Sequence, residues 1–186
     1  MKKSIFAIAF ALVASSAMAD EGMMSTDSKY RLGVDFGIPY FLTADGNKVN
    51  DRGNMNLGVD GRYFVTENMN VGGRFSYDLE DSNGFRQIAV APGVQYHWMP
   101  GETFVPYVRG DLPVIIQGAA NSVAQDDKFD FGISAGAGVA WNLGNTIGVE
   151  NLSIRYDFNL GYTFGISDAV PVLGLEFAKV GVDYRF

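Results

Sequence analysis

Lys179-Val-Gly-Val-Asp-Tyr-Arg-Phe186, the C-terminal segment, carries the clearest fold signal in the chain. Its apolar residues occupy the even positions and end on Tyr184 and Phe186, whereas its charged residues and its glycine occupy the odd positions. Successive side chains of a β-strand point to opposite faces, so this pattern predicts a strand with one apolar and one polar face. An apolar face that ends in aromatic residues needs an apolar surrounding, and the pattern favours lipid.

The same alternation recurs upstream, most regularly at 152–164, where aliphatic and aromatic residues alternate with Ser, Arg, Asp, Asn, Gly and Thr. The fifth segment is the least regular, since both of its faces hold apolar residues. In all we predict strands at 30–40, 55–63, 69–78, 87–97, 104–116, 129–143 and 152–164, and a terminal strand after Pro171. Eight antiparallel strands of about 9 to 13 residues fit a barrel that crosses hydrocarbon of about 25 to 30 Å.

The predicted fold class is therefore all-β, an eight-stranded antiparallel up-and-down transmembrane β-barrel. Closure is required because every backbone N–H and C=O group in hydrocarbon must find a partner within the protein. A soluble eight-stranded barrel would place apolar residues inside and charges outside, which is the opposite polarity. Aromatic residues near the strand ends predict two interfacial girdles, with Tyr30, Tyr96, Trp98, Phe104, Trp141, Tyr184 and Phe186 in one and Tyr40, Tyr77, Phe129, Tyr162 and Phe164 in the other.

The N-terminus predicts export. Lys2 and Lys3 precede an apolar run and then Ala17-Met-Ala19, the pattern of a signal peptide cleaved after residue 19. Residues 20–29 then form a short periplasmic segment and 30–186 form the barrel. Loss of Lys2 and Lys3 moves the formal net charge from -7 to -9, and such an acidic chain is unsuited to binding nucleic acid. The chain contains no cysteine, so packing and strand pairing must stabilise it without disulfides.

The residues on the polar faces of the predicted strands include equal numbers of cations and anions. The interior of an eight-stranded barrel is wide enough only for its own side chains, so we predict a lumen plugged by ion pairs. The same charges also fit a gate or a proton pathway, although buried charges need partners whatever a protein does. The predicted lumen network comprises Arg31, Asp35, Asp60, Arg62, Arg74, Asp78, Arg109, Asp111, Asp130, Arg155, Asp157, Lys179, Asp183 and Arg185.

The chain resembles the eight-stranded outer-membrane barrels of Gram-negative bacteria, of the OmpA transmembrane-domain and OmpX type. The resemblance covers residues 30–186, and its most specific part is the C-terminal insertion signal, which Lys179, Gly181, Tyr184 and Phe186 fill in order. It implies a location in the bacterial outer membrane, contact with outer-membrane lipid and lipopolysaccharide, and insertion by the barrel-assembly machinery. We expect a monomer.

The residues that could form a catalytic or metal site have simpler structural interpretations. His97, the only histidine, precedes Trp98 at a predicted periplasmic rim, where an imidazole at the level of the lipid headgroups is the simpler interpretation than a catalytic base. The acidic segment 45–51 lacks the spacing of an EF-hand loop, and solvated turn residues are the simpler interpretation. Together with the acidic pairs 80–81 and 126–127 it could form a weak divalent-cation or lipopolysaccharide-bridging surface, which is the alternative. We therefore predict no cofactor, no resident metal and no catalytic residue.

Three functions remain open from the sequence. The favoured one is a non-enzymatic barrel that maintains envelope integrity or presents its surface loops. The second is a narrow channel, or a lateral transporter for small or apolar solutes, and the third is a lipid-modifying enzyme. The predicted surface loops, at about 43–53, 79–84, 117–128 and 165–174, indicate no ligand.

Overall fold

The computed structural model describes residues 29–43, 55–78, 85–119, 128–164 and 172–186. Within these ranges the chain forms ten β-strands and one single-turn helix. They are β1 (Tyr30–Gly37), β2 (Pro39–Thr43), β3 (Asn56–Phe64), β4 (Met69–Asp78), β5 (Phe85–His97), β6 (Phe104–Asp111), β7 (Val114–Ala119), β8 (Lys128–Asn142), α1 (Gly144–Ile147), β9 (Leu152–Thr163) and β10 (Val172–Arg185). The predicted signal peptide and nearly all of the predicted periplasmic segment lie outside the described residues. Among those residues, no helix has the length and apolarity needed to span a membrane.

The strands form one closed antiparallel sheet. Neighbours pair in the order β1, β3, β4, β5, β6, β8, β9, β10, and the sheet closes where β10 pairs with β1. Reciprocal hydrogen bonds of 2.9 Å between the backbones of Tyr30 and Phe186 complete the seam. The predicted eight-stranded up-and-down barrel is confirmed.

Two of the eight barrel strands are interrupted, so the barrel consists of ten strand segments. Ile38 separates β1 from β2, and Leu112 and Pro113 separate β6 from β7. Proline has no N–H to donate to a ladder, but the neighbouring groups keep their partners. The N–H of Leu112 donates to the Pro92 carbonyl at 2.8 Å, and the N–H of Gly132 donates to the Pro113 carbonyl at 2.9 Å.

The burial pattern is the inverse of that of a soluble protein. Outward-facing apolar residues are exposed, as at Phe75 (50 %) and Tyr156 (53 %), whereas Asp60, Arg155 and Asp157 are 0 % exposed. Because alternate residues of every barrel strand face opposite sides, this difference places apolar side chains on the outside and charged ones in the lumen. The predicted polarity of the two faces is confirmed.

The lumen also holds apolar residues that the alternation did not single out. Val105, Tyr107 and Ala140 form a small buried cluster between β6 and β8, and Ala89 and Ile115 are buried where β5 pairs with β7. An interior of this width must be filled by side chains, and small apolar residues fill the parts that the charges do not occupy.

A β-bulge in β10 changes which of its residues face inward. Glu176 pairs with Asn159 and Lys179 pairs with Asp157, so β10 takes three steps where β9 takes two. An extra residue in one strand reverses its alternation. Glu176 therefore faces the lumen, although strict alternation from Phe186 would place it outside.

Smaller differences concern strand ends and the aromatic girdles. Residues 117–119 belong to β7 and residues 172–174 belong to β10, although both were predicted within loops. Of the predicted girdle residues, Phe104, Tyr30 and Phe164 are exposed, but Tyr184 is only 7 % exposed and stacks with Phe186 at a ring-centroid distance of 6.4 Å.

Candidate functional site

The candidate site is the lumen, where a continuous set of ion pairs crosses the barrel. We call this set the charge plug. Every member lies within 4.0 Å of an opposite charge, and the set holds six cations and six anions. Its members are Arg31, Asp35, Asp60, Arg62, Arg74, Arg109, Asp111, Arg155, Asp157, Glu176, Lys179 and Asp183.

Arg155 is the centre of the charge plug. Its guanidinium lies 3.2 Å from Asp183, 3.3 Å from Asp35, 3.5 Å from Asp157 and 3.7 Å from Asp60. These carboxylates come from β10, β1, β9 and β3, so one side chain connects four strands. The planar guanidinium, with donors on several sides, suits contact with several carboxylates better than an ammonium does.

One half of the charge plug gathers around Asp35. Arg74 Nη2 lies 2.5 Å from Asp35 Oδ1, and Lys179 Nζ lies 3.8 Å from Asp35 Oδ2. Glu176 joins this half, at 4.0 Å from Arg74 and 3.9 Å from Lys179. Glycine opposite these groups is a packing requirement, since a Cβ on Gly58 would lie 2.5 Å from Arg74 Nε and 2.6 Å from Asp35 Oδ1.

The other half runs across the barrel from β1 to β6. Asp60 accepts from Arg31 at 2.8 Å and from Arg62 at 2.9 Å. Arg62 also reaches Asp111 at 3.3 Å, and Arg109 Nε donates to Asp111 at 2.6 Å. Buried charges need such partners, because removal from water costs more than a single distant ion pair returns.

The structure brings eleven of the fourteen predicted lumen residues into the charge plug and places the other three differently. Asp78 accepts a hydrogen bond from the amide of Asn56. Asp130 accepts one from the N–H of Phe131 at 2.8 Å. The guanidinium of Arg185 lies over the ring of Phe64, 3.7 Å from its centroid.

Uncharged polar residues outside the predicted network complete the lumen. Gln95 Oε1 accepts from Arg31 Nη2 at 2.8 Å, and the hydroxyl of Tyr107 donates to Asp157. Asn56 hydrogen-bonds both Arg74 and Asp78. All of these positions have the same parity as the charged residues, so strand alternation was a signal that could have identified them.

The interpretation of His97 as an imidazole at the headgroup level is wrong. The side chain is 5 % exposed and faces the lumen, where Nε2 lies 2.9 Å from Asn70 Nδ2. Its ring packs between Phe64 and Tyr107, with centroid distances of 5.8 Å and 5.2 Å. His97 ends β5 next to an outward Trp98, and the alternation that puts Trp98 outside puts His97 inside.

Two cavities lie on opposite sides of the charge plug. We call the end with the turns at 65–68, 98–103 and 143–151 the turn end, and the opposite end of the barrel the loop end. The outer cavity, of about 120 Å³, lies towards the loop end and is lined by residues that include Arg109, Asn159 and Glu176. The inner cavity, of about 290 Å³, lies at the turn end beside His97 and Arg185. Neither cavity is lined by Asp60, Arg62, Tyr107, Arg155 or Asp157, which together form a layer between them.

The turn end is covered partly by its own turns. Asn142 Nδ2 donates to the Glu102 carbonyl at 2.6 Å, and Asn145 Nδ2 donates to the Gly101 carbonyl at 2.8 Å. These bonds join the turn before β6 to the end of β8 and to the turn that contains α1. Within the described ranges no cluster of three or more His, Cys, Asp or Glu side chains has the arrangement to hold a metal ion. The acidic segments 45–51, 80–81 and 126–127 lie outside those ranges.

A closed barrel with an apolar exterior and a buried, charged interior defines the class of transmembrane β-barrels of eight strands. The profile of the family described as "Outer membrane protein beta-barrel domain" matches residues 5–186, and the chain belongs to that family. It is a protein of the bacterial outer membrane. A comparison with curated protein sequences gave no significant match.

Solved structures share the fold at low sequence identity. Neisserial surface protein A aligns with a TM-score of 0.67 at 14 % identity, over 84 % of this chain and 97 % of that one. Ail, the attachment invasion locus protein of Yersinia pestis, aligns with a TM-score of 0.54 at 17 % identity, over 85 % and 98 %. OprG of Pseudomonas aeruginosa aligns with a TM-score of 0.52 at 12 % identity, over 86 % and 97 %. At these identities the likeness concerns the fold alone.

Proposed function

We propose that the protein is a non-conducting, non-enzymatic barrel that supports the envelope and presents its loops at the cell surface. The observation that carries the proposal is the layer of fully buried charges between the two cavities. An ion that crossed this layer would have to separate charges that already neutralise one another in a medium of low dielectric constant. The loop end is assigned to the cell exterior and the turn end to the periplasm.

Conductance in planar bilayers tests the closed lumen and separates it from the alternative of a narrow channel. We expect the wild-type protein to show no steady openings whose size rises in proportion to salt. Tyr107→Ala, which removes a 1 % exposed ring from the buried layer, is expected to produce openings. Tyr156→Ala is the matched control, because that ring is 53 % exposed on the outer face, and it should stay closed. Steady wild-type openings at neutral pH would overturn the proposal.

The geometry of His97 supports the non-enzymatic part of the proposal. A catalytic base for acyl transfer needs a nucleophile within hydrogen-bond reach. The hydrogen bond described for His97 joins it to the Asn70 amide, and neighbouring rings enclose the imidazole. The residue also lies at the turn end, away from the outer leaflet under the assignment above.

Mass spectrometry of lipid A from cells that overexpress the protein tests this part. We expect the lipid A composition to match that of cells carrying the empty vector. A composition that changes with the wild-type protein but not with His97→Ala would show a histidine-dependent enzyme. A change produced equally by both proteins would show an enzyme that works without His97. Either change would end the non-enzymatic proposal.

The proposal extends to partners. The apolar outer face contacts outer-membrane lipid and lipopolysaccharide. The C-terminal strand, whose predicted insertion signal comprises Lys179, Gly181, Tyr184 and Phe186, is the segment that the barrel-assembly machinery reads. Its pairing with β1 is the last seam needed to close the sheet. Closure within one chain supports a monomer, since it leaves no sheet edge for a second copy to pair with.

A further inference from the structure

The turns of the turn end carry exposed apolar side chains. Val65 lies in the turn between β3 and β4, Met99 in the turn between β5 and β6, and Ile147 in the turn between β8 and β9. All three are at least half exposed, Met99 at 59 % and Ile147 at 64 %. Where β10 pairs with β1, this end carries the exposed ring of Phe186. Exposed apolar groups thus surround the turn end, and such groups mark a surface that contacts a membrane or another protein.

The polar and apolar side chains of these turns have different surroundings. Glu67 and Glu150 line the inner cavity, whereas Val65, Met99 and Ile147 do not. The turns therefore direct polar groups to the mouth of the lumen and leave the apolar ones outside it. Segments with two such sides suit the boundary between water and hydrocarbon.

The same division occurs within α1. Asn145 lines the inner cavity, and its Nδ2 donates to the Gly101 carbonyl across the mouth. The hydroxyl of Thr146 accepts from Trp141 Nε1 at 2.9 Å, and Trp141 faces outward from β8. Ile147 follows Asn145 by two residues, which is about 200° around a helix. Ile147 therefore lies on the side of α1 that faces away from the cavity.

Met99 keeps its side chain exposed at a conformational cost. Its φ of 51° lies in the left-handed region, which residues with a side chain rarely adopt. Glycine adopts this region without the steric cost, as Gly101 does at a φ of 93° in the same turn. A bulky residue held in such a conformation at an exposed turn indicates that its side chain has a use beyond folding.

Lipid is the partner that these residues fit, because they continue an interface that the barrel already has. Trp98 directly precedes Met99, is exposed on the outer face, and packs edge-on against Tyr96 at a ring-centroid distance of 5.6 Å. Tryptophan and tyrosine at strand ends lie where acyl chains meet headgroups. The Cα atom of Met99 is about 3.8 Å further along the chain, so its side chain lies within reach of the same boundary.

We propose that Val65, Met99 and Ile147 anchor the turn end in the surrounding phospholipid leaflet, with their side chains at the boundary between headgroups and acyl chains. The three turns lie at different positions around the ring of strands, so the anchors together limit the tilt of the barrel. Under the assignment above, this leaflet is the periplasmic one. The inference goes beyond the proposed function, because the anchors depend on neither the lumen nor the surface loops.

Nuclear Overhauser measurements on methyl-labelled protein in phosphatidylcholine nanodiscs test the anchors. With one barrel in each disc, a second copy of the chain cannot supply the contact. We expect the methyl groups of Met99 and Ile147 to show cross-peaks with acyl-chain protons. Ile133, exposed on the outer face of β8, is the positive control, and Ile115, buried in the lumen, is the negative control. Cross-peaks with water and none with lipid at the two turn residues would overturn the proposal.

Variants show whether the apolar side chains themselves hold the turns in lipid. Met99→Ser combined with Ile147→Ser should increase the broadening of the turn amide signals by a water-soluble gadolinium chelate several-fold. Met99→Leu combined with Ile147→Leu keeps both side chains apolar and should match the wild type. Glu102→Gln, at an exposed position in the same turn as Met99, should also leave the broadening unchanged. Dispersed amide spectra establish that each variant is folded, and wild-type broadening in the folded serine variant would show that these side chains are not anchors.

Discussion

Arg155→Met is expected to lower the free energy of unfolding by about 3–5 kcal/mol, the cost of removing one partner from a buried ion-pair network. The variant keeps most of the apolar volume of the side chain but leaves Asp35, Asp60, Asp157 and Asp183 without their shared cation. Urea unfolding in lipid vesicles, followed by the fluorescence of the two tryptophans, measures the change.

A control and a rescue separate the effect of charge from that of packing. Arg185→Met removes a cation that is half-buried over the ring of Phe64, and should cost about 1 kcal/mol or less. Adding Asp183→Asn to Arg155→Met should recover part of the lost stability, because one of the uncompensated carboxylates is removed. A loss for Arg155→Met no larger than that for Arg185→Met would show that the charge plug does not stabilise the barrel.

Phe158→Arg is expected to destabilise the protein in vesicles by about 2–4 kcal/mol, the cost of an arginine on the lipid face near the middle of the bilayer. Phe158 faces outward near the centre of β9, where the strand is farthest from both membrane interfaces. Urea unfolding followed by tryptophan fluorescence measures this change as well, in vesicles whose hydrocarbon thickness matches the apolar belt of the barrel.

Val149→Arg is the matched control for the lipid-facing variant. Val149 is also exposed, but it lies in the turn between α1 and β9, outside the strands. The cost there should fall to about 0–1 kcal/mol, since arginine near the interface is tolerated. Equal costs at the two positions would mean that the apolar face of β9 does not contact acyl chains.

The strands and their faces could be predicted because one physical rule acts along the whole barrel. Alternate residues face lipid or the lumen, so the sequence of a segment such as 152–164 predicts which of its residues point outward. The rule also holds in the fifth barrel strand, which consists of β6 and β7. Arg109 and Asp111 face inward there, although the strand is interrupted at Leu112 and Pro113.

What the alternation could not predict depends on contacts between strands. Glu176 was not predicted to face the lumen because the bulge reverses the alternation of β10. Before the bulge the outward residues are at odd positions, such as Leu173 and Leu175, and after it they are at even positions, such as Val180 and Val182. The partners of the lumen charges could not be predicted from the sequence either, since Arg155 of β9 reaches carboxylates on three other strands, β1, β3 and β10. Parity places a charge inside the barrel, but only the three-dimensional register decides whether Asp78 meets a cation or an amide.

The contacts of the charge plug also have a mechanical consequence. Arg155 of β9 lies close to Asp60 of β3, and Arg62 of β3 lies close to Asp111 of β6, so the bonds span the tube in different directions. These ion pairs resist flattening of the circular cross-section, because an oval shape would lengthen some of them and separate buried charges. A bilayer that thins, stretches or curves around this protein should therefore meet a stiff cylinder, and the surrounding lipid should deform in its place.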